Sequence, residues 1–168
     1  MPEVPALPGT ASLTTLVEQA FAEGGALGRA VTGYERRDGQ LALAAAVAAV
    51  LDEGGTLLAE AGTGTGKTLA YLIPAILSRK RVLVSTGTKN LQEQIYFKDL
   101  PALQEALGVP FTATLMKGRG NYLCLHRWER YQQSPESFER AVFVPVVKAW
   151  AAETTTGDRA EDRKSTRL

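Results

Sequence analysis

Apolar residues recur along this chain in two rhythms. Over Ser12–Phe21, Leu13, Leu16, Val17 and Ala20 fall on one helical face, and Ser12 stands where an N-cap belongs. Gly24, Gly25 and Gly28 interrupt that pattern, and Tyr34–Gly39 is polar and turn-like. Gln40–Leu51 is rich in Ala and Leu and holds no breaker, which predicts a helix stopped by Gly54-Gly55. Thr56–Ala59 is a short apolar run of the kind a buried strand carries. Lys67–Ser78 returns to helical spacing, with a kink expected at Pro74. Arg81–Ser85 predicts a second strand, Lys89–Leu100 a helix ending near Pro101, Pro101–Leu107 a short helix ended by Gly108, and Phe111–Met116 a third strand. This alternation predicts an α/β domain: a parallel sheet with right-handed crossovers.

Beyond Met116 the rhythm changes. Gly118–Tyr131 predicts a loop entering a helix, and Pro135–Ala152 is mostly helical in pattern although Pro145 falls inside it. Glu153–Leu168 is polar, and Met1–Gly9, with three prolines, predicts a loose tail. The organisation expected is a tail over 1–11, an α/β domain over 12–116, the start of a helical insertion over 117–161 and a distinct tail over 162–168.

Composition narrows the function classes. The 168 residues are 45% hydrophobic and 22% charged, which suits a globular domain. Nineteen Lys and Arg against 18 Asp and Glu leave a net charge of +1, so any contact with nucleic acid must be local. The single cysteine, Cys124, excludes an internal disulfide and a self-contained cysteine metal site. No apolar run approaches the ~20 residues that span a bilayer. No basic segment followed by an apolar core opens the chain, so no membrane partner and a cytoplasmic location are expected.

Ala61-Gly62-Thr63-Gly64-Thr65-Gly66-Lys67-Thr68 lies between a predicted strand and a predicted helix, the setting of a phosphate-binding loop. Gly62, Gly64 and Gly66 leave room for backbone N–H groups to cradle phosphate oxygens, and the next helix points its positive end at them. Lys67 supplies a point charge to the β- and γ-phosphates, and the Thr68 hydroxyl suits Mg²⁺. The strict pattern has Gly where Ala61 stands. A glycine-rich turn that binds nothing is the plain alternative, and the intact Gly66-Lys67-Thr68 argues against it.

Glu60–Thr68 resembles motif I of superfamily-two helicases, which commonly begin this loop with Ala. Three more segments, in matching order and spacing over roughly 34–130, narrow the resemblance to the DinG/XPD branch. Arg37-Asp38-Gly39-Gln40 resembles its Q motif, Ser85–Gln94 its motif Ia with Asn90-Leu91-Gln92-Glu93-Gln94 nearly verbatim, and Lys117-Gly118-Arg119-Gly120-Asn121-Tyr122-Leu123-Cys124 its K-G-R-x-N-Y-x-C segment. The resemblance implies a partial RecA-like motor domain of an ATP-dependent DNA helicase. Arg37, Gln40, Gly62, Thr63, Gly64, Thr65, Gly66, Lys67 and Thr68 would hold ATP, with Gln40 at the adenine edge. Lys67 and Thr68 would act in catalysis, and Thr68 would bind Mg²⁺. Thr86, Thr88 and Gln94 would contact the backbone of single-stranded DNA. Taken without the other motifs, this segment reads sooner as an ordinary strand followed by a capped helix, since Thr is common at a cap.

Cys124 matches the first of four cysteines in the iron–sulfur members of the branch. A [4Fe–4S] cluster needs four thiolates and this chain has one, so a cluster belongs only to a longer parent, or Cys124 is a packing residue. Lys117, Arg119 and Arg127 form a basic patch near DNA on one reading and a solvated face on the other. His126 reads as a surface or packing residue.

The acidic D-E-x-H motif that completes such an active site has no match. Asp52-Glu53 precedes the loop, and Glu161-Asp162 follows no strand. The expected identity is therefore the beginning of a helicase, with 162–168 as non-native sequence. Such a piece would bind ATP weakly and not unwind DNA. A nucleotide-binding module without hydrolysis is the alternative, whereas a small kinase has no reason to carry the motif Ia and K-G-R-G-N-Y segments.

Overall fold

The Ser12 side-chain oxygen accepts the Thr15 N–H at 3.2 Å and opens the first helix, α1 (Leu13–Phe21). The computed structural model describes residues 11–30, 34–62, 64–134 and 142–161. They form two compact units, one reaching Leu115 and one beginning at Met116.

In the first unit α1 is followed by a short helix, α2 (Ala26–Ala30), that the glycine spacing conceals. The alanine-rich helix α3 (Asp38–Glu53) starts two residues before its predicted beginning and ends at Gly54, whose N–H reaches the Val50 carbonyl at 2.9 Å. Helix α4 (Lys67–Leu77) runs through Pro74. Helix α5 (Lys89–Gln94) continues through a π-helical turn, Ile95–Asp99, into α6 (Leu100–Leu107). Pro101 thus does not separate two helices. It stands second in α6, which directly follows the π turn.

Helix packing makes the core. Ala44 and Ala48 of α3 are fully buried, one turn apart, and their small side chains let α3 approach its neighbours α1 and α4 closely. Val17 and Phe21 of α1, Leu27 of α2, Ile73 of α4 and Leu103 of α6 complete the buried centre.

The α/β expectation is overturned: among the described residues there is no β-strand and no sheet. Thr56–Ala59, Arg81–Ser85 and Phe111–Met116 lie outside the helices as anticipated, but they join no ladder. A strand exists only with a hydrogen-bonded neighbour about 4.8 Å away. A four- or five-residue apolar run signals burial, not pairing. Even that burial is absent here: Leu58 is 98% and Leu83 94% exposed. The apolar surface buried in this unit belongs to helices.

The second unit holds a 3₁₀ turn (Arg119–Asn121), helix α7 (Leu125–Gln132), helix α8 (Phe143–Glu153) and a 3₁₀ turn (Arg159–Glu161). Pro145 falls in the first turn of α8, where it is tolerated. The earlier part of the predicted helix, 135–141, and the predicted tails over 1–10 and 162–168 lie outside the described residues.

The ends of this unit are clasped together. Tyr122 and Asp158 form an antiparallel bridge, and the Leu123 N–H reaches the Gly157 carbonyl at 2.9 Å. The Lys117 ammonium meets the Asp158 carboxylate at 2.7 Å with both side chains largely buried, and the Lys117 N–H donates to the Tyr122 hydroxyl at 2.7 Å. Glu161 accepts from the Thr154 and Thr156 hydroxyls at 2.8 and 2.7 Å. Lys117 is therefore no part of a basic patch: its charge is spent inside the unit. Arg119 and Arg127 are exposed.

No helix among the described residues is long and apolar enough to cross a membrane.

Removing one member of a buried pair strands the other charge, at a cost of about 3–5 kcal/mol. Lys117→Met should lower the unfolding free energy of the second unit by about 3 kcal/mol. Both tryptophans, Trp128 and Trp150, lie in this unit and report its unfolding by fluorescence. The double variant Lys117→Met, Asp158→Leu should regain most of the loss. A loss below about 0.5 kcal/mol, the size of a surface substitution, would show that the pair does not support the unit.

Candidate functional site

The glycine loop joins the end of the 56–62 segment to α4. Gly64 and Gly66 have φ of +76° and +78°, in the left-handed region that glycine enters at little cost. Gly66 is the N-cap of α4, so Lys67 and Thr68 are its first two helical residues. Thr63 lies outside the described residues.

Two side chains at the start of α3, its N-cap Arg37 and Gln40 in its first turn, hold the loop. The Gln40 amide nitrogen donates to the Gly66 carbonyl at 2.9 Å, and Gln40 is only 5% exposed. The contact is so close that a Cβ on Gly66 would lie 2.1 Å from that nitrogen. Gly66 is thus required twice, by its backbone conformation and by its neighbour. Arg37 donates from its guanidinium to the Gly64 carbonyl at 2.5 Å. Just upstream, the Tyr34 hydroxyl donates to the Phe21 carbonyl at 3.3 Å. Burial raises the pKa of that phenol, and nearby Arg36 opposes the shift.

The loop also closes on itself. The Lys67 ammonium donates to the Ala61 and Gly62 carbonyls at 2.7 and 2.5 Å, and the Thr65 hydroxyl donates to the Gly62 carbonyl at 2.9 Å. Lys67 and the half-buried Thr68 therefore stand beside one another at the positive end of α4.

The Thr86–Gln94 segment is built differently. The Thr88 hydroxyl caps α5 by accepting the Leu91 N–H at 3.3 Å, as the cap reading anticipated. The Thr86 hydroxyl donates to the Thr88 carbonyl at 3.1 Å, and the Gln94 amide donates to Asp99 at 3.3 Å. Residues 82–87 border an open groove of about 500 Å³ against Val47 and Leu51 of α3 and Tyr71 and Ala75 of α4. The helices that frame the glycine loop thus also frame this segment.

Cys124 belongs to the second unit, exposed at the N-cap of α7. Among the described residues no three His, Cys, Asp or Glu side chains gather as metal ligands. One exposed thiol cannot satisfy an iron–sulfur cluster, so the residues of this chain do not fit that group.

Residues 42–121 match the family model described as DEAD/DEAH box helicase. The ATP-dependent DNA helicase YoaA of Escherichia coli is 41% identical over 140 residues, which are 82% of this chain and 22% of that protein. Over about four-fifths of its length the chain is thus similar to helicases of the DinG kind. Two further relatives carry the DinG name. The 3'-5' exonuclease DinG of Bacillus subtilis is 40% identical over 141 residues, 81% of this chain and 15% of that protein. The ATP-dependent helicase DinG of Mycobacterium tuberculosis is 40% identical over 157 residues, 80% of this chain and 24% of that protein. The chain spans under a quarter of the length of these relatives. No solved structure matches it.

Motif spacing in this DinG-like chain did not reveal that Gln40 grips Gly66, nor that Lys117 and Asp158 pair across 40 positions of sequence. The available signals were a glutamine in the first turn of a helix, in line with Ala44 and Ala48 at four-residue spacing, and an aspartate in a Thr- and Gly-rich stretch.

Gly66→Ala should cost about 1–3 kcal/mol from the left-handed backbone alone, with the Gln40 clash added. Adding Gln40→Ala should relieve the clash and leave the strain. An unchanged melting temperature for Gly66→Ala would show that Gln40 does not lie against the loop.

Proposed function

We propose that this DinG-like chain binds ATP with Mg²⁺ through Gly62–Thr68 and contacts single-stranded DNA through Thr86–Gln94, as part of an ATP-dependent DNA helicase. The observation that carries this reading is the pair of left-handed glycines, Gly64 and Gly66, held from α3 by Arg37 and Gln40 and followed directly by Lys67-Thr68 at the start of α4.

Each residue has a chemical part. The donated bonds from Arg37 and Gln40 go to loop carbonyls, and occupying those carbonyls helps leave the backbone N–H groups for an anion. The start of α4 adds its unpaired N–H groups and positive dipole. The Lys67 ammonium, now on the Ala61 and Gly62 carbonyls, exchanges these neutral acceptors for charged phosphate oxygens, which bind it more strongly. Thr68 offers a hard oxygen for Mg²⁺. When bound, Mg²⁺ neutralises part of the phosphate charge. These residues account for nucleotide binding, and no step is assigned to an iron–sulfur group.

On the strand side, a phosphate accepts hydrogen bonds, so donors matter. The Thr88 hydroxyl uses a lone pair to cap α5 and keeps its O–H to donate. Thr86 already spends its O–H on the Thr88 carbonyl. Gln94 keeps one of its two N–H groups beyond the bond to Asp99. Thr88 is therefore the principal donor of the three. Such contacts position a strand without reading its sequence.

Titration of the purified chain with a fluorescent ATP analogue and Mg²⁺ tests the nucleotide site. Lys67→Ala should weaken binding about tenfold or more, since a hydrogen bond to a charged group is worth about 1.5–3 kcal/mol. An unchanged Kd would remove Lys67 from the site.

A further inference from the structure

We propose that Phe97 is a base-stacking residue for single-stranded DNA, presented by the π-helical turn that follows α5. This rests on the reading that Thr86–Gln94 contacts such a strand. In the turn Ile95–Asp99 the Leu100 N–H reaches back five residues to the Ile95 carbonyl. An extra residue is accommodated, and the side chains that follow are rotated about the axis. Pro101 has no N–H to restore the ordinary ladder here.

Two residues apart on the helical stretch, Ile95 and Phe97 point to opposite sides. Ile95 stays buried at 6% exposure and Leu103 at 2%, so both ends of the helical stretch remain anchored in the core. Phe97 between them is 68% exposed. A π turn interrupts good helical hydrogen bonding, and such turns are frequent at functional sites. Phe97 lies in this turn, three residues past Gln94, as a large apolar ring in water.

Two features choose the occupant. Tyr96 packs on Phe97 edge to face, with centroids 5.0 Å apart and planes at 89°, which restrains the ring as a preformed platform. Lys98 beside it and Lys89 at the start of α5 are exposed cations, suited to a phosphodiester backbone. An aromatic platform with exposed cations on the same helical stretch fits a single strand with its bases unstacked from a duplex. Every base has a π-face, so this contact is tolerant of sequence.

The test uses the full 168-residue chain and a fluorescein-labelled oligo-dT, read by anisotropy at low salt, with circular dichroism confirming that each variant folds. Phe97→Ala should weaken binding roughly tenfold, the scale of one stacked base. Phe97→Trp should keep the parent affinity, and Phe97→Leu should behave like Phe97→Ala. In parallel, an oligo-dT carrying 5-iodouracil should photocross-link to Phe97, located by mass spectrometry of the digest. Parent affinity in Phe97→Ala or in Phe97→Leu would overturn the stacking role. If Thr88→Val weakens binding while Phe97→Ala does not, the backbone contact stands and stacking fails. If the parent chain shows no binding to oligo-dT, both fail together.

Discussion

The amide of Gln40 on the carbonyl of Gly66 is the contact around which the first unit is organised. It joins α3, the helix with the closest-packed face, to the residue that opens α4. Both partners are constrained. Gln40 is buried, so its polar amide needs an acceptor. Gly66 can supply its carbonyl at this range only because it has no Cβ. With Arg37 on Gly64, the first turn of α3 acts as a clamp on a glycine loop that would otherwise be free to take many conformations. Because α1 and α4 pack on the same helix, the clamp also ties the loop to the hydrophobic core.

The helices were legible because their signals are local. Ser12 and Thr88 cap as their side chains allow, Gly54 and Gly108 stop helices, and the Ala-rich stretch from Gln40 has no competing conformation. The strands expected from apolar runs are not found among the described residues. A strand's stability lies in a partner far along the chain, and an apolar run such as Arg81–Ser85 carries no record of one. Pro101 misled for a related reason: whether a proline breaks a helix depends on its register, and the π turn at Ile95–Asp99 shifts that register.

The candidate site was legible at the level of chemistry and not of connection. Glycines followed by Lys67-Thr68 announce a phosphate loop because few other needs call for that composition at the start of a helix. Which residues grip the loop depends on the packing of α3 beside α4, which motif spacing does not express. Lys117 shows the same limit. Its charge suggested an exposed contact with nucleic acid, but Asp158, brought back by the bridge at Tyr122, neutralises it inside the second unit. The DinG-like kinship reflects the local motifs, and the relatives named as helicases and as an exonuclease share with this chain only a small part of their length.

The clamped glycine loop is proposed as a nucleotide phosphate site. Heteronuclear NMR of the ¹⁵N-labelled chain titrated with Mg-ADP tests it most directly. The backbone amides of Gly64 through Thr68 and the Gln40 side-chain amide should shift together and saturate along one binding curve. Shifts confined to other residues, or no saturable change in the loop, would contradict it.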